Sequence, residues 1–488
     1  MRKFFKYLFR TLGVLVALIL LLVSLLYIPA VQRYIKNRVV EYAASRWDMT
    51  VGIGELSLKF PVDLSLKRVY AGKTNTDTLA YLGRLRLNAG IGRLMWGQIA
   101  VDDLQLEDVV LNLRNDTTGM VLKVRTDRVG LQADVVSLRE KRVDISRLLC
   151  SGGDVFLATG VSREDRDTIK NASSFDWTFV IRQLEIDRVY YTMTSEALSR
   201  LYAGVGKGII AGGVVDMVHR QVNVDSVNLS GGVCDLIPMD TQSVSPVQGA
   251  VSPDTAGLWT VEAGHLELEN SAFSMSGTEN KKFELTLTDI GLRIDSVYNR
   301  GAVVKADLSR LQVVRAQGGR IEKMQANVDM GEERTELGNV SIRTPYTSIR
   351  LNALSDAPLA EIGKTEPLRV VLEASVGMED VRLFWAQMPL GMERKSVKFD
   401  MDISYREDRI GIRKFMAVMP GNFDLSGTGE VASFRDLNNL AGVLNLEGNI
   451  QDVSFLNEKN KRFRIPDQMR LSCLLYTSPS PRDVEESR

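Results

Sequence analysis

The stretch GVGKG, Gly204 to Gly208, is the nearest approach in this sequence to a phosphate-binding loop. Such a loop needs a fuller glycine spacing and a Ser or Thr hydroxyl after the lysine. Lys207 is followed by Gly208, so a flexible loop is expected there. The acidic pairs Asp102-Asp103 and Glu107-Asp108 carry the oxygens a cation wants. Calcium, however, takes about six to eight converging oxygens, and polar residues at these points suit bulges and solvent-facing turns. There are two histidines, His219 and His265, which leaves a histidine metal site or a Ser-His-Asp relay almost without material. Cys150 and Cys234 could pair in an oxidising compartment or remain buried thiols, and both readings stay open. With no catalytic constellation, no cofactor motif and no metal-ligand spacing, an enzyme is not expected.

The elements that would hold such residues point elsewhere. Lys+Arg and Asp+Glu are both 61, so no bulk charge recruits nucleic acid. At 488 residues the chain exceeds one compact domain, leaving several domains or one elongated, repeat-like body. Thr11 to Val31 carries no charge over about twenty residues, enough for a helix to cross a bilayer. Leu12, Leu15, Leu18, Leu21 and Leu25 make it apolar, while Arg2, Lys3, Lys6 and Arg10 hold its N-terminal side in the cytoplasm. The apolar core is too long for a cleaved signal peptide, so a retained anchor is expected. The stretch Val31 to Trp47 then places Val31, Tyr34, Ile35, Val39, Tyr42 and Ala43 on one helical face. This amphipathic helix would lie on the outer leaflet or cover a sheet edge, two roles that ask for the same pattern.

From Val51 the period becomes two. Leu56, Leu58, Phe60, Val62, Leu64 and Leu66 alternate around Pro61, as a first or edge strand allows. Similar runs recur along the chain, including Trp177, Phe179 and Ile181, then Leu285 with Leu287, Ile290 with Leu292 and Ile294, and Val397 to Ile403. Turn signals separate them: Asn115-Asp116, Ser151-Gly152-Gly153, Gly318-Gly319 and Gly421-Asn422. Helical patterns are few, the best being Met378 to Met388, which stops at Pro389.

One frame recurs inside the alternation. In VDDLQLEDVVLNL it is Val101, Leu104, Leu106, Val109, Leu111 and Leu113, and in IRQLEIDRVYYTM it is Ile181, Leu184, Ile186, Val189, Tyr191 and Met193. With small residues allowed it returns at Val224, Val227, Leu229, Gly232, Cys234 and Leu236, and at Ala263, Leu266, Leu268, Ser271, Phe273 and Met275. A partial copy is Leu337, Val340, Ile342, Thr347 and Ile349. A three-residue step in a strand throws the next side chain to the wrong face unless the backbone bulges or turns there. The strands are therefore expected to bend at repeated positions, and a sheet of such strands curves. An ordinary sandwich is the alternative, but little else in the chain would cover the apolar face, and lipid chains are its natural occupant.

The order of basic segment, span, amphipathic helix, WDMTVGIGELSLKFPVDLSLKRVY and the repeated frame resembles the N-terminal part of the TamB and AsmA-like envelope proteins. NFDLSGTGEV (Asn422 to Val431) and VLNLEGNI (Val443 to Ile450) resemble that family's strand-Gly-strand units. The resemblance implies a mainly β fold class: an N-terminal transmembrane helix and amphipathic helix followed by an elongated, strongly curved, repeating β-sheet groove, β-taco-like. It implies a single-pass inner-membrane protein with its bulk in the periplasm, carrying phospholipid toward the outer membrane in outer-membrane biogenesis. It also implies a TamA-like outer-membrane barrel as a partner, with a role in assembling outer-membrane proteins; a structural tether is a third possibility. Candidate groove-lining residues are Leu56, Leu58, Phe60, Leu104, Leu106, Leu111, Leu113, Ile186, Tyr191, Phe273 and Met275, with the lining face left open.

CLLYTSPSPRD, Cys473 to Asp483, departs from everything before it and resembles the translation of a sequencing adapter. The expected organisation is a cytoplasmic segment at 1–10, the span at 11–31, the amphipathic helix at 32–47, the periplasmic groove at 48–472, and a non-native tail at 473–488 without evolved contacts.

Overall fold

A computed structural model describes residues 28–47, 49–59, 63–73, 78–90, 99–115, 120–137, 139–158, 176–195, 198–238, 258–277, 284–364, 366–383, 392, 394–433, 441–452 and 468–477. The chain is mainly β, with a long sheet of many strands. It divides into two compact units, Met1–Val247 with Ser274–Glu284, and Gln248–Phe273 with Leu285–Arg488. Among the described residues no helix is long and apolar enough to cross a membrane. The expected span up to Tyr27 lies outside them, as do the leucines and basic residues that define it.

The first unit opens with helix α1 (Pro29–Trp47), whose proline occupies the first turn, where a missing N–H costs nothing. Gln32 Nε2 donates to the Leu58 carbonyl at 3.0 Å and Lys36 Nζ to the Gly54 carbonyl at 3.2 Å. The helix thus satisfies carbonyls on the outer edge of strand β1 (Met49–Lys59), which pairs on its other side with β2 (Asp63–Lys73). The contact face runs along Gln32 and Lys36, whereas Tyr34 and Tyr42 of the expected apolar face are 61% and 65% exposed. Of the expected apolar face, the side chains of Ile35, Val39 and Ala43 lie outside the described ones; the two polar side chains that reach main-chain oxygens help close the edge. The helix also starts earlier than residue 32.

Strands β3 (Thr78–Gly90), β4 (Ile99–Asn115), β5 (Met120–Ser137) and β6 (Arg142–Ala158) follow as antiparallel neighbours. Then β6 pairs in parallel with β7 (Thr178–Thr194), in register from Arg142 opposite Thr178 to Ala158 opposite Thr194. Strand β8 (Leu198–Asp216) pairs with β7 and takes both β9 (Gln221–Ser230) and β10 (Val233–Pro238) on its other side. GVGKG lies within β8, so it is a strand segment rather than a flexible loop. Its Gly206 N–H donates to the Gly231 carbonyl at 3.2 Å. Ser151-Gly152-Gly153, a turn signal in the sequence, likewise sits inside β6. Strand β11 (Thr260–Ser276) follows, its residues up to Phe273 belonging to the second unit.

The second unit continues as an antiparallel meander: β12 (Glu284–Arg300), β13 (Val303–Arg315), β14 (Arg320–Met330), β15 (Thr335–Arg343), β16 (Ser348–Ser355), β17 (Leu368–Gly377), β18 (Ser396–Arg406), β19 (Arg409–Met419), β20 (Phe423–Ala432), β21 (Ala441–Ile450) and β22 (Met469–Thr477). The runs at Leu285 and Ile290 belong to one strand, β12. The partial frame copy is split, because a turn at Thr344 to Thr347 separates β15 from β16. Of the helix expected at Met378 to Met388, the described part is a short helix α2 (Met378–Arg382). Within the stretch expected as a tail, Cys473 to Thr477 complete β22, with Cys473 opposite Leu446 and Thr477 opposite Gly442. Ladder hydrogen bonds are made by the main chain and accept any side chains whose alternation fits.

Candidate functional site

The strand register gathers the repeated frame onto one face of the first unit. One transverse row runs Leu56, Leu66, Leu85, Leu106, Val129, Cys150, Ile186, Gly208 and Leu229, each directly opposite the next. A second runs Leu58, Leu64, Leu87, Leu104, Leu131, Leu148, Leu184, Ile210 and Val227 in the same way. A third takes Leu111 through Val124 and Val155 to Tyr191, Ala203 and Cys234. Since opposed residues share a face, these rows make a continuous apolar surface across nine strands.

The other face is charged. Glu55 opposes Lys67, which opposes Arg84, which opposes Glu107, which opposes Arg128. Lys67 meets Glu55 at 2.8 Å, Arg84 meets Glu107 at 3.2 Å, and Arg147 meets Glu185 at 2.7 Å. The Lys67 ammonium holds the Glu55 carboxyl below its ordinary range, with Arg68 adding to the effect. The Ser151 hydroxyl, and after it the Arg188 guanidinium, does the same for Asp187. Exposed pairs of this kind add little stability; they mark the face that water wets.

A seam at which β2, β4, β6 and β7 each carry a left-handed residue keeps both ends of these strands apolar on the same side. Arg68, Asp108, Arg188 and Gly152 have φ of 51°, 54°, 51° and 64°, and each falls in a three-residue step of the frame. The junction of β9 and β10 repeats the pattern at Gly231, β11 at Asn270 and β12 at Asp289. The left-handed residue absorbs the odd step, so Leu106 and Val109 face the same way. In the first unit these positions are aligned between strands. Pairs on both sides of them bracket Gly54 with Arg68, Gly83 with Asp108, and Asp127 with Gly152. At Gly83 a Cβ would stand 2.8 Å from the Asp108 Cβ, so the neighbour of a left-handed residue must be small there. In the parallel pair β6 and β7 two left-handed residues, Gly152 and Arg188, adjoin.

The seam yields a direct test. A β-branched side chain is a steric outlier at positive φ, and Arg188→Val should destabilise the first unit by about 1–3 kcal/mol. Arg188→Gly should be tolerated. Urea unfolding of the two variants measures the difference, and equal stability of Val and Gly would contradict the seam.

The apolar surface is not a closed core. Among the described hydrophobic residues of the first unit, only Ile53, Ala100, Ala133 and Ile145 are buried. Leu56, Leu58, Leu104, Leu106, Leu111, Ile186 and Tyr191 are partly covered, and Leu113 is 46% exposed at the end of its strand. Phe273 and Met275 are partly covered on one face of β11. Phe60 lies outside the described residues. Cys150 and Cys234 are free thiols on the apolar face, and burial, with the charge of Asp235, pushes the Cys234 thiol up. The acidic pairs match the structural reading: Asp102 is exposed where the β4–β5 register shifts between Val101 and Leu104, and Asp108 is in the seam. Among the described residues no cluster of His, Cys, Asp or Glu could hold a metal ion.

The sequence reading missed one copy of the frame, Ile145, Leu148, Cys150, Gly153, Val155 and Leu157 in β6. Its offsets are those of β7, and that identity was the available signal. The paired glycines masked it as a turn.

Comparison with protein-family models, with characterised proteins and with solved structures finds no match, so the chain is characterised by its own architecture alone.

Proposed function

We propose that the apolar face holds and conducts lipid acyl chains, the chain forming an elongated, strongly curved β-groove anchored in the inner membrane and carrying phospholipid across the periplasm. The observation that supports this reading is the set of unbroken apolar rows whose side chains are only partly covered. Apolar surface left in water costs roughly 25 cal/mol per Å², and a contiguous apolar patch of this kind marks an interaction site. An acyl chain supplies cover without needing a shaped pocket or a hydrogen-bond partner. The resemblance to TamB and AsmA-like proteins agrees with the proposal. A seam at matching positions of neighbouring strands would bend them there and curve the sheet around its cargo.

An assembly factor acting with a TamA-like barrel would instead offer a sheet edge to client strands. The outer edge of β1 is already engaged by α1, which weighs against that edge. A tether would need no apolar rows. A photoreactive residue at Leu106, on the apolar face, and one at Gln105, on the charged face, distinguish the three readings in cells. Lipid adducts at Leu106 with none at Gln105 support transport. Polypeptide adducts at Leu106 would replace it with assembly, and no adduct at either site would favour the tether.

A further inference from the structure

The role of α1 does not end at the β1 edge. Its inner face is committed to β1 through Gln32 and Lys36. On the opposite side Tyr34, Arg38 and Tyr42 succeed one another at four-residue intervals and so form one stripe. Both tyrosines are more than half exposed. Arg38 Nε donates to Tyr34 Oη at 3.2 Å, with its guanidinium 5.6 Å from the ring centroid. Its Nη1 lies 3.0 Å from Glu41 Oε2. Tyrosine carries an apolar ring and a polar tip, the combination that settles at the boundary between acyl chains and headgroups. Arginine adds a fork suited to phosphate oxygens.

The chain itself selects the occupant. The uncharged run Thr11 to Val31 ends within the first turn of α1, so a run long enough to cross a bilayer delivers the helix to the bilayer surface. We infer that the outward face of α1 lies on a lipid bilayer, with Tyr34 and Tyr42 in the headgroup layer and Arg38 facing lipid phosphates. The inward face holds the carbonyls of Gly54 and Leu58, so the helix sets the edge strand, with Leu56 and Leu58, next to the membrane. The lipid rows of the first unit would then begin at the bilayer surface. This inference rests on the anchored reading given above.

The test uses the full chain in vesicles of phosphatidylcholine with and without phosphatidylglycerol. Cys150, Cys234 and Cys473 are replaced by serine, and single spin labels are attached through Tyr34→Cys, Tyr42→Cys and, on the charged face of β2, Lys67→Cys. Labels at positions 34 and 42 should collide with oxygen in preference to an aqueous nickel chelate, and the label at 67 should show the reverse. Arg38→Glu should sharply reduce any strengthening by phosphatidylglycerol. Chain that sediments with vesicles while labels at 34 and 42 remain as open to nickel as that at 67 overturns the inference and leaves the anchor standing. Chain that stays in the supernatant overturns the anchor, and the inference with it. Circular dichroism of each labelled variant confirms that the sheet is intact.

Discussion

Ile186→Asp is expected to leave the protein folded and abundant while cutting the lipid path in two. Ile186 stands in the row that links Leu66 on β2 to Leu229 on β9, and it is partly covered rather than buried. In a closed sandwich a carboxylate there would be a buried unpaired charge costing several kcal/mol, enough to unfold the unit. On an open face it can hydrate. The consequence for cargo is different, because an acyl chain crossing the row must pass a wet charge. Each methylene left against water forfeits about 0.8 kcal/mol, so two of them lower occupancy by roughly tenfold. Photoreactive residues at Leu66 and Leu229 read the outcome. Lipid entering from the α1 side should still label position 66 and should largely disappear from 229. Leu106→Asp should act in the same way. Unfolding of both variants would show a closed core, and undiminished labelling at 229 in a folded variant would exclude this row as the path.

The sequence carried this face further than it carried the connections between strands. Alternation and the repeated offsets depend on side-chain chemistry, which is visible residue by residue; the register then lined up the copies that the offsets had separated. The odd step at Leu106 to Val109 had only a few physical solutions, and a left-handed Asp108 is one of them. What stayed hidden depends on partners. Gly153 fills an apolar slot because Val189 leans over it, with both Cγ atoms 3.3 Å from where its Cβ would be. Nothing local distinguishes such a glycine from one in a turn. Tyr34 and Tyr42 count as apolar in a periodicity, yet their phenols suit a wet boundary, and Gln32 and Lys36 of α1 reach carbonyls on β1. Ser151-Gly152-Gly153 read as a turn because positive φ serves turns and seams alike. The break assigned after Ser472 came from the resemblance of Cys473 to Asp483 to an adapter translation, which main-chain pairing along β22 does not register.

In contrast with the open rows, the second unit contains a packed cluster where substitution should be costly. Met419, 2% exposed, packs with Met378, Met392 and Val397, and Phe399, Phe423, Val376 and Val381 close around them. The polypeptide above this cluster is held firmly. The Asp380 carboxylate accepts from the Thr344 hydroxyl at 2.5 Å and the Thr347 hydroxyl at 2.6 Å, and the Gly377 N–H donates to Thr347 Oγ1 at 3.2 Å. A side chain at Gly377 would meet the Tyr346 carbonyl oxygen at 2.5 Å, so α2 lies directly against the β15–β16 turn. With surroundings fixed in this way, a cavity at Met419 cannot collapse easily. Met419→Ala should therefore cost about 2–5 kcal/mol, whereas Leu106→Ala, on a partly exposed face, should cost well below that range. Urea unfolding gives both values, and amide exchange in β17 to β19 localises the first. Exchange should accelerate there in Met419→Ala and remain unchanged in Leu106→Ala. If the two substitutions cost the same, either the methionine cluster is no core or the apolar rows are not open, and the exchange pattern identifies which.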